Sequence, residues 1–458
     1  MKNIDQYRMP GFLSRTATIT VAFAVAIVAA VFAAHSVGAT QAMQPAPPPA
    51  LTTHYSFTGS PDGSSPTAPL LRDSKGNFYG TTDVGGNTGC YNDQNRQPQV
   101  GAGCGTVYKL DPVGKETVLY TFTGGADGAN PAVGLITEGD GRLYGTTLAG
   151  GASKTCNGYN GCGVVFSLSP PATQGAPWTE AVLYTFTGGA DGGIPFASLI
   201  TDGAGNLYGT TFVEGSKGYG VVFKVDSSGN ETVPYTFTGG ADGANPEANL
   251  VQDADGNLYG TTVYGGNMGN YGVVFKLDPS GQETVLHSFT SGTDGALPGG
   301  GLLQDAAGNL YGTTTQGGND SRCNPSYGHY GCGVVFELNT AGEMNTLYKF
   351  RGGRDGEGPN GNLIRDREGR LYGTTAEGGP YNNGTVFQIG KSGEETMLYA
   401  FKGRAHGASP SGGLITDGNG NLYGTTAGGG VTMGSGGDPN CGPNPFEGCG
   451  TVFELSLK

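Results

Sequence analysis

The chain has 458 residues, 88 of them glycine, about a fifth of the total against a usual share of roughly 7%. With 24 Lys+Arg against 38 Asp+Glu the net charge is −14 and no basic run breaks that balance, which excludes an electrostatic footprint for nucleic acid or an anionic membrane. The glycines recur in fixed company, as GNLYGTT and TGGADGANP, which excludes both collagen and low-complexity disorder and marks a folded repeat.

In chain order, Lys2, Arg8 and Arg15 precede an apolar run, Ala17–Ala34, and the small residues Val37-Gly38-Ala39 follow it. That succession predicts a secretory signal peptide over 1–39 and an exported protein, secreted, periplasmic or at the cell surface. An uncleaved anchor is the alternative, and the one route by which this chain would meet a membrane. Residues 40–50 end in MQPAPPPA and predict a short, extended proline-rich linker.

From 51 to 458 the sequence repeats. The tyrosine of the LYGTT core falls at Tyr79, Tyr144, Tyr208, Tyr259, Tyr311, Tyr372 and Tyr423, and the shortest intervals, 51 or 52 residues, define the bare unit. In the unit 247–298, Glu247–Gln252 is a short extended run and Asp253–Asn257 a turn. Leu258–Val263 is a second strand, Gly272–Leu277 a third and Glu283–Phe289 a fourth, with the turn Asp278–Gly281 between the last two. Apolar side chains occur on both faces of these strands, so each four-stranded meander must lie between two others.

The fold class expected is therefore all-β, a seven-bladed β-propeller of four-stranded antiparallel blades; a linear β-solenoid is the alternative. Seven second strands and seven third strands are present, but a seventh fourth strand exists only if Leu51–Phe57 is counted, because His54-Tyr-Ser-Phe57 matches Leu119-Tyr-Thr-Phe122. The offset predicts that this N-terminal strand completes the last blade and closes the ring.

Eight cysteines form four local pairs, each inside one inserted loop: Cys90 with Cys104, Cys156 with Cys162, Cys323 with Cys332, and Cys441 with Cys449. The spacing is not that of zinc knuckles, and disulfides holding long loops are expected rather than metal.

The unit LYGTT-x-x-GG … GVVFKLD-x-x-G-x-ETVLYTFTGG-x-DGANP resembles the GloVer tandem repeat of bacterial secreted choice-of-anchor proteins, a repeat of unassigned role, over essentially all of 51–458. Its D-x-x-GNLYGTT segment is similar to the propeller repeats of two-component regulators and to NHL repeats. That resemblance implies the propeller fold and no particular chemistry.

In such a meander the loops between second and third strands and those leading into the next blade emerge on one face, which is the expected binding face. There the repeat places Asp62, Asp127, Asp191, Asp242, Asp294 and Asp355 near the channel mouth, with His406 at the seventh place. As a ring, Asp127, Asp191, Asp242 and their equivalents could hold a cation or glycan hydroxyls; as turn residues they would cap their own backbone. The aspartates of the first hairpin, Asp202, Asp253, Asp305, Asp366 and Asp417, read as turn residues. Aromatics that break the repeat are the other candidates for ligand contact: Tyr91, Tyr159, Tyr327, Tyr330 and Phe446 in the cysteine loops, and Trp178, the only tryptophan. No nucleophile turn, HExxH pair or phosphate loop is present, and no catalytic residue, cofactor or metal is assigned.

The expected function is that of a monomeric extracellular module binding a glycan or a protein through the disulfide-loop face. A polysaccharide- or lactone-acting enzyme with channel-mouth carboxylates is the alternative, and a structural envelope component the third reading.

Overall fold

The computed structural model of the chain describes residues 49–86, 103–173, 175–318, 323, 331–430, 441 and 448–457. The segment read as a signal peptide, most of the linker, Cys90, Tyr91, Tyr327, Tyr330 and Phe446 lie outside the described residues.

Six of the seven units fold as an antiparallel sheet whose four strands follow in chain order. In blade 4 these are Val251–Gln252, Leu258–Thr262, Val273–Leu277 and Glu283–Ser288. Seven such blades occur among the described residues, with a fifth strand, Glu357–Pro359, added to blade 6. Blade 7 takes its outer strand from the other end of the chain. Ala50–Ser56 pairs antiparallel with Thr451–Ser456, from Ala50 opposite Ser456 to Ser56 opposite Thr451. The propeller and its N-terminal closure are as the strand count predicts, and the solenoid is excluded.

The first strand is shorter than the sequence suggests: Val251–Gln252 rather than Glu247–Gln252. Asn245 takes φ 56°, its N–H bonds to Tyr219 O and its Nδ2 donates to Phe212 O, so the chain turns before Pro246 and runs toward the propeller axis before the ladder begins. That turn delivers residues 247–249 to the centre of the ring.

The third strands are buried on both faces, Val273, Val274 and Phe275 among them, which explains the unbroken apolar run in their sequence. The glycine of LYGTT is required by this packing. Gly260 lies opposite Phe275 in the ladder, and a methyl group on it would sit 2.7 Å from Phe275 Cζ. The same contact recurs in the other blades, as for Gly209 and Phe223. Each fourth strand carries a bulge, and this explains Pro234 within a strand: it occupies the bulged, unpaired position of blade 3.

Two kinds of contact join the blades. The phenylalanine ending each fourth strand meets the third-strand aromatic of the next blade edge-on, as in Phe122–Phe166 at 5.1 Å and Phe237–Phe275 at 5.2 Å. Nearer the axis, the first threonine of LYGTT donates to a carbonyl of the neighbouring blade, for example Thr81 Oγ1 to Val133 O at 2.9 Å. Thr425 Oγ1 donates to Ala68 O at 3.0 Å across the closure.

Candidate functional site

The segments that turn toward the axis surround a cavity of about 340 Å³, to which all seven blades contribute. Each blade supplies the same frame, Pro-x-(Ala/Gly/Val)-x-(Leu), and the variable positions face the cavity. The residue after the proline is Thr67, Ala132, Phe196, Glu247, Gly299, Asn360 and Ser411 around the ring, and the residue two further on is Pro69, Gly134, Ser198, Asn249, Gly301, Asn362 and Gly413. A chain that repeats LYGTT six times, with FYGTT in the first unit, thus presents a different pair of residues in every blade where it lines its axis.

Three further residues reach the cavity. Asp83 and Leu148 stand just after LYGTT, where the other units have Phe212, Val263, Thr315, Ala376 and Ala427. Tyr159 comes from the disulfide loop of blade 2, whose chain reverses between Gly150–Cys156 and Tyr159–Gly161. The cavity therefore opens on the face that carries the disulfide loops.

The polar groups of the cavity are held in place. Ser198 Oγ accepts from Gly134 N at 2.9 Å, Asn249 Oδ1 from Ser198 N at 2.7 Å, and Asn362 Oδ1 from Gly301 N at 2.8 Å. With Oδ1 engaged, each carboxamide has its Nδ2 donor to offer a ligand. Burial pushes the Asp83 carboxyl up to about 6, against an opposing contribution from Asn130, whose Nδ2 donates to the Asp83 main-chain oxygen at 3.0 Å. Burial alone pushes Glu247 up to about 7. The Tyr159 hydroxyl is raised by burial first and by the charge of Asp83 second, which places those two side chains in one electrostatic neighbourhood. Phe196 adds a half-buried ring, tilted against Phe212 at 5.9 Å.

Of the residues singled out in the sequence, Tyr159 is brought to this cavity. Asp127, Asp191 and Asp242 do not line it, and each carboxylate is engaged by its own turn. Asp127 accepts from Thr123 N at 2.8 Å, Thr123 Oγ1 at 2.5 Å and the outer-strand Tyr120 hydroxyl at 3.1 Å. Asp191 is held likewise by Thr187 and Tyr184, and Asp242 by Thr238 and Tyr235. Their carboxylates thus tie each outer strand to the loop leading into the next blade, where Tyr is long enough to reach the turn. His406 is exposed on a single 3-10 turn, Arg404–His406. Trp178 sits between the third and fourth strands of blade 2, at the end of the blade away from the disulfide loops, and packs edge-on against Tyr79 of blade 1 at 6.4 Å.

The cysteine loops are stapled as expected. Cys156–Cys162, Cys323–Cys332 and Cys441–Cys449 are disulfides with Cα separations of 5.1, 5.3 and 4.8 Å, and Cys104 is disulfide-bonded as well.

Paired carboxyls do occur, but between the outer strands. Glu116, Glu180, Glu231, Glu283 and Glu395 open the fourth strands, each with a buried Oε1 that has no hydrogen-bond partner. Burial, and then the charge of Asp62, Asp127, Asp191, Asp242 and Asp355 respectively, pushes each up to about 7. In blade 5 the equivalent position is Met344, and there Asp294 instead meets His287 Nε2 at 3.0 Å.

Fold and repeat together define a seven-bladed propeller built from a single tandem unit. The sequence profile of the Gloeobacter/Verrucomicrobia repeat matches residues 101–324 and 323–457, and the chain belongs to that family. No curated protein matches it. Among solved structures it is similar to virginiamycin B lyase from Staphylococcus aureus, with a TM-score of 0.53 and 13% identity, covering 90% of this chain and 100% of the other. It also matches an extracellular domain described as that of a one component system from B. thetaiotaomicron, with a TM-score of 0.47 and 10% identity over 87% of this chain and 39% of the other. At such identities the first similarity speaks to the fold.

In the sequence the cavity-lining positions are hidden by the repeat, whose shared residues answer to the fold and not to the cavity. The signal that finds them is the reverse: Pro-x-x-x-Leu is retained in every unit while the pair of residues at its cavity-facing positions is different in each.

Proposed function

We propose that the protein is an exported binding module that takes a saccharide in the axial cavity of its disulfide-loop face. The observation that supports this most is the blade-by-blade variation of the lining in a chain whose framework residues scarcely vary. Structural positions of a repeat are alike because every unit has the same need, whereas a ligand is asymmetric and calls for different groups at equivalent places. Fixed carboxamide and hydroxyl groups suit sugar hydroxyls, and the rings of Tyr159 and Phe196 suit the apolar face of a pyranose. Export is supported by the three disulfides among the described residues, since disulfides persist in oxidising compartments.

The test is an array of cell-wall and plant polysaccharides, scored for retention and for product release. Retention is expected without turnover and is expected to fall on Tyr159→Ala or Phe196→Ala, with Asp127→Ala as the control that leaves it in place. Turnover abolished by Asp83→Asn or Glu247→Gln alone would replace this reading by the enzymatic one, which the raised carboxyls of those residues favour as proton donors.

A further inference from the structure

We propose that Asp83 and Glu247 form a charge filter in the axial cavity, admitting uncharged saccharides and turning away uronates, sulfated sugars and sugar phosphates. The inference rests on the binding reading above and names the ligand class of that site.

Three observations carry it. Among the described residues that line the cavity, these two are the acidic ones, and no Lys, Arg or His stands with them. Glu247 is half-buried, lines the cavity and has no hydrogen-bond or ion-pair partner among the described residues. The fold does not call for a carboxyl at either place: the equivalents of Glu247 include Ala132, Gly299 and Ser411, and those of Asp83 include Val263 and Ala427. A half-buried carboxyl without a counter-ion is costly, and a fold that manages with alanine or glycine elsewhere gains nothing structural from it.

Toward a ligand the two groups act in opposite senses. A carboxyl accepts hydrogen bonds from sugar hydroxyls, so a neutral saccharide gains contacts. A ligand anion in the same confined space is opposed by like charge in surroundings of lower dielectric than water, with no guanidinium or ammonium to offset it.

The test compares neutral oligosaccharides (cello-, xylo- and manno-oligomers) with oligogalacturonates by calorimetry on the whole protein, wild type against Asp83→Asn/Glu247→Gln. The expected result is a crossing. Neutral binding weakens by a few fold in the variant while uronate binding, undetected in wild type, strengthens by about tenfold or more. Melting temperature is recorded in parallel, and a variant that merely folds badly would lose both ligand classes. Wild type that binds oligogalacturonate as well as neutral oligomers, or a variant that gains nothing for uronate, overturns the filter and leaves the saccharide reading standing. Failure of every oligosaccharide on both proteins overturns the two together.

Discussion

Phe57 and Tyr108 meet edge-on with ring centroids 4.9 Å apart, and both are fully buried. Phe57 ends the N-terminal strand and Tyr108 lies on the third strand of blade 1, so this pair is the last in a circle of aromatic contacts between neighbouring blades. Truncation at this point should act on the ring as a whole. Phe57→Ala is expected to cost about 3–5 kcal/mol, and deletion of Leu51–Phe57 more, because it exposes the ladder of Thr451–Ser456 as a free edge. Denaturant midpoints would measure this, and an unchanged midpoint in the deletion would show that the ring does not depend on its closing strand.

The glycine of LYGTT gives a second prediction. Gly209 faces Phe223 across the ladder, and a methyl group there would lie 2.6 Å from the ring. Gly209→Ala is expected to destabilise by about 1–3 kcal/mol, since the interior cannot shift to make room. Gly209→Ala combined with Phe223→Leu should recover part of that loss. A double variant as weak as the sum of its singles would place the cost in the backbone instead.

Stability should peak in mildly acidic solution. The five outer-strand glutamates rise from 4.5 to about 7 on folding, through burial and then the neighbouring aspartate. Their contribution is complete below pH 4.5 and is lost as pH climbs through 7. Because they are only partly buried, solvent screening leaves each at no more than about 1 kcal/mol. The hairpin aspartates work in the other direction. Burial opposes ionisation of Asp202, Asp253 and Asp417, but hydrogen bonds from the turn prevail and hold them below 3.8, so their contribution is lost as pH falls through that range. Melting temperature is expected to be highest near about pH 4 to 5 and to fall toward pH 7, with Glu231→Gln losing less than wild type as pH rises through that window and on to 8. A melting temperature that climbs across pH 6 to 8 contradicts this.

The staple of blade 2 should matter to both stability and binding. Cys156–Cys162 closes a loop of sequence separation 6 that holds Tyr159 at the cavity. The double variant Cys156→Ser/Cys162→Ser is expected to lose about 2 kcal/mol and to weaken saccharide retention, whereas the corresponding change at Cys441 and Cys449 should affect stability alone. Equal losses of retention in both variants would mean that the loops act only through global stability.

The architecture was legible because propeller physics leaves a regular trace. The apolar third strands, the Asp-x-x-Gly-Asn turns and the unmatched strand at Leu51–Phe57 each answer to a need common to all blades. The turn reading of the aspartates was equally accessible, and the structure gives the reason in detail: Asp253 accepts from Asp255 N, Asn257 N, Asn257 Nδ2 and the Tyr259 hydroxyl. The cavity was hidden for a related cause. Glu247 stands in a stretch that looks extended, and only the positive φ of Asn245 turns it inward. Phe196 and Asp83 likewise read as strand residues until the ring brings seven distant segments to one axis.

The strand that closes the ring also sets the order of events in folding. His54 contacts Glu454 at 2.7 Å across 400 residues of chain, so the first strand to leave the ribosome finds its partner only when the last has been made. Until then the growing molecule has two unpaired strand edges and six blades stacked in an open arc. Such a chain cannot finish folding from one end as it emerges. Its final step is a long-range closure that is slow by nature, and during that wait it is most exposed to pairing with a second copy of itself.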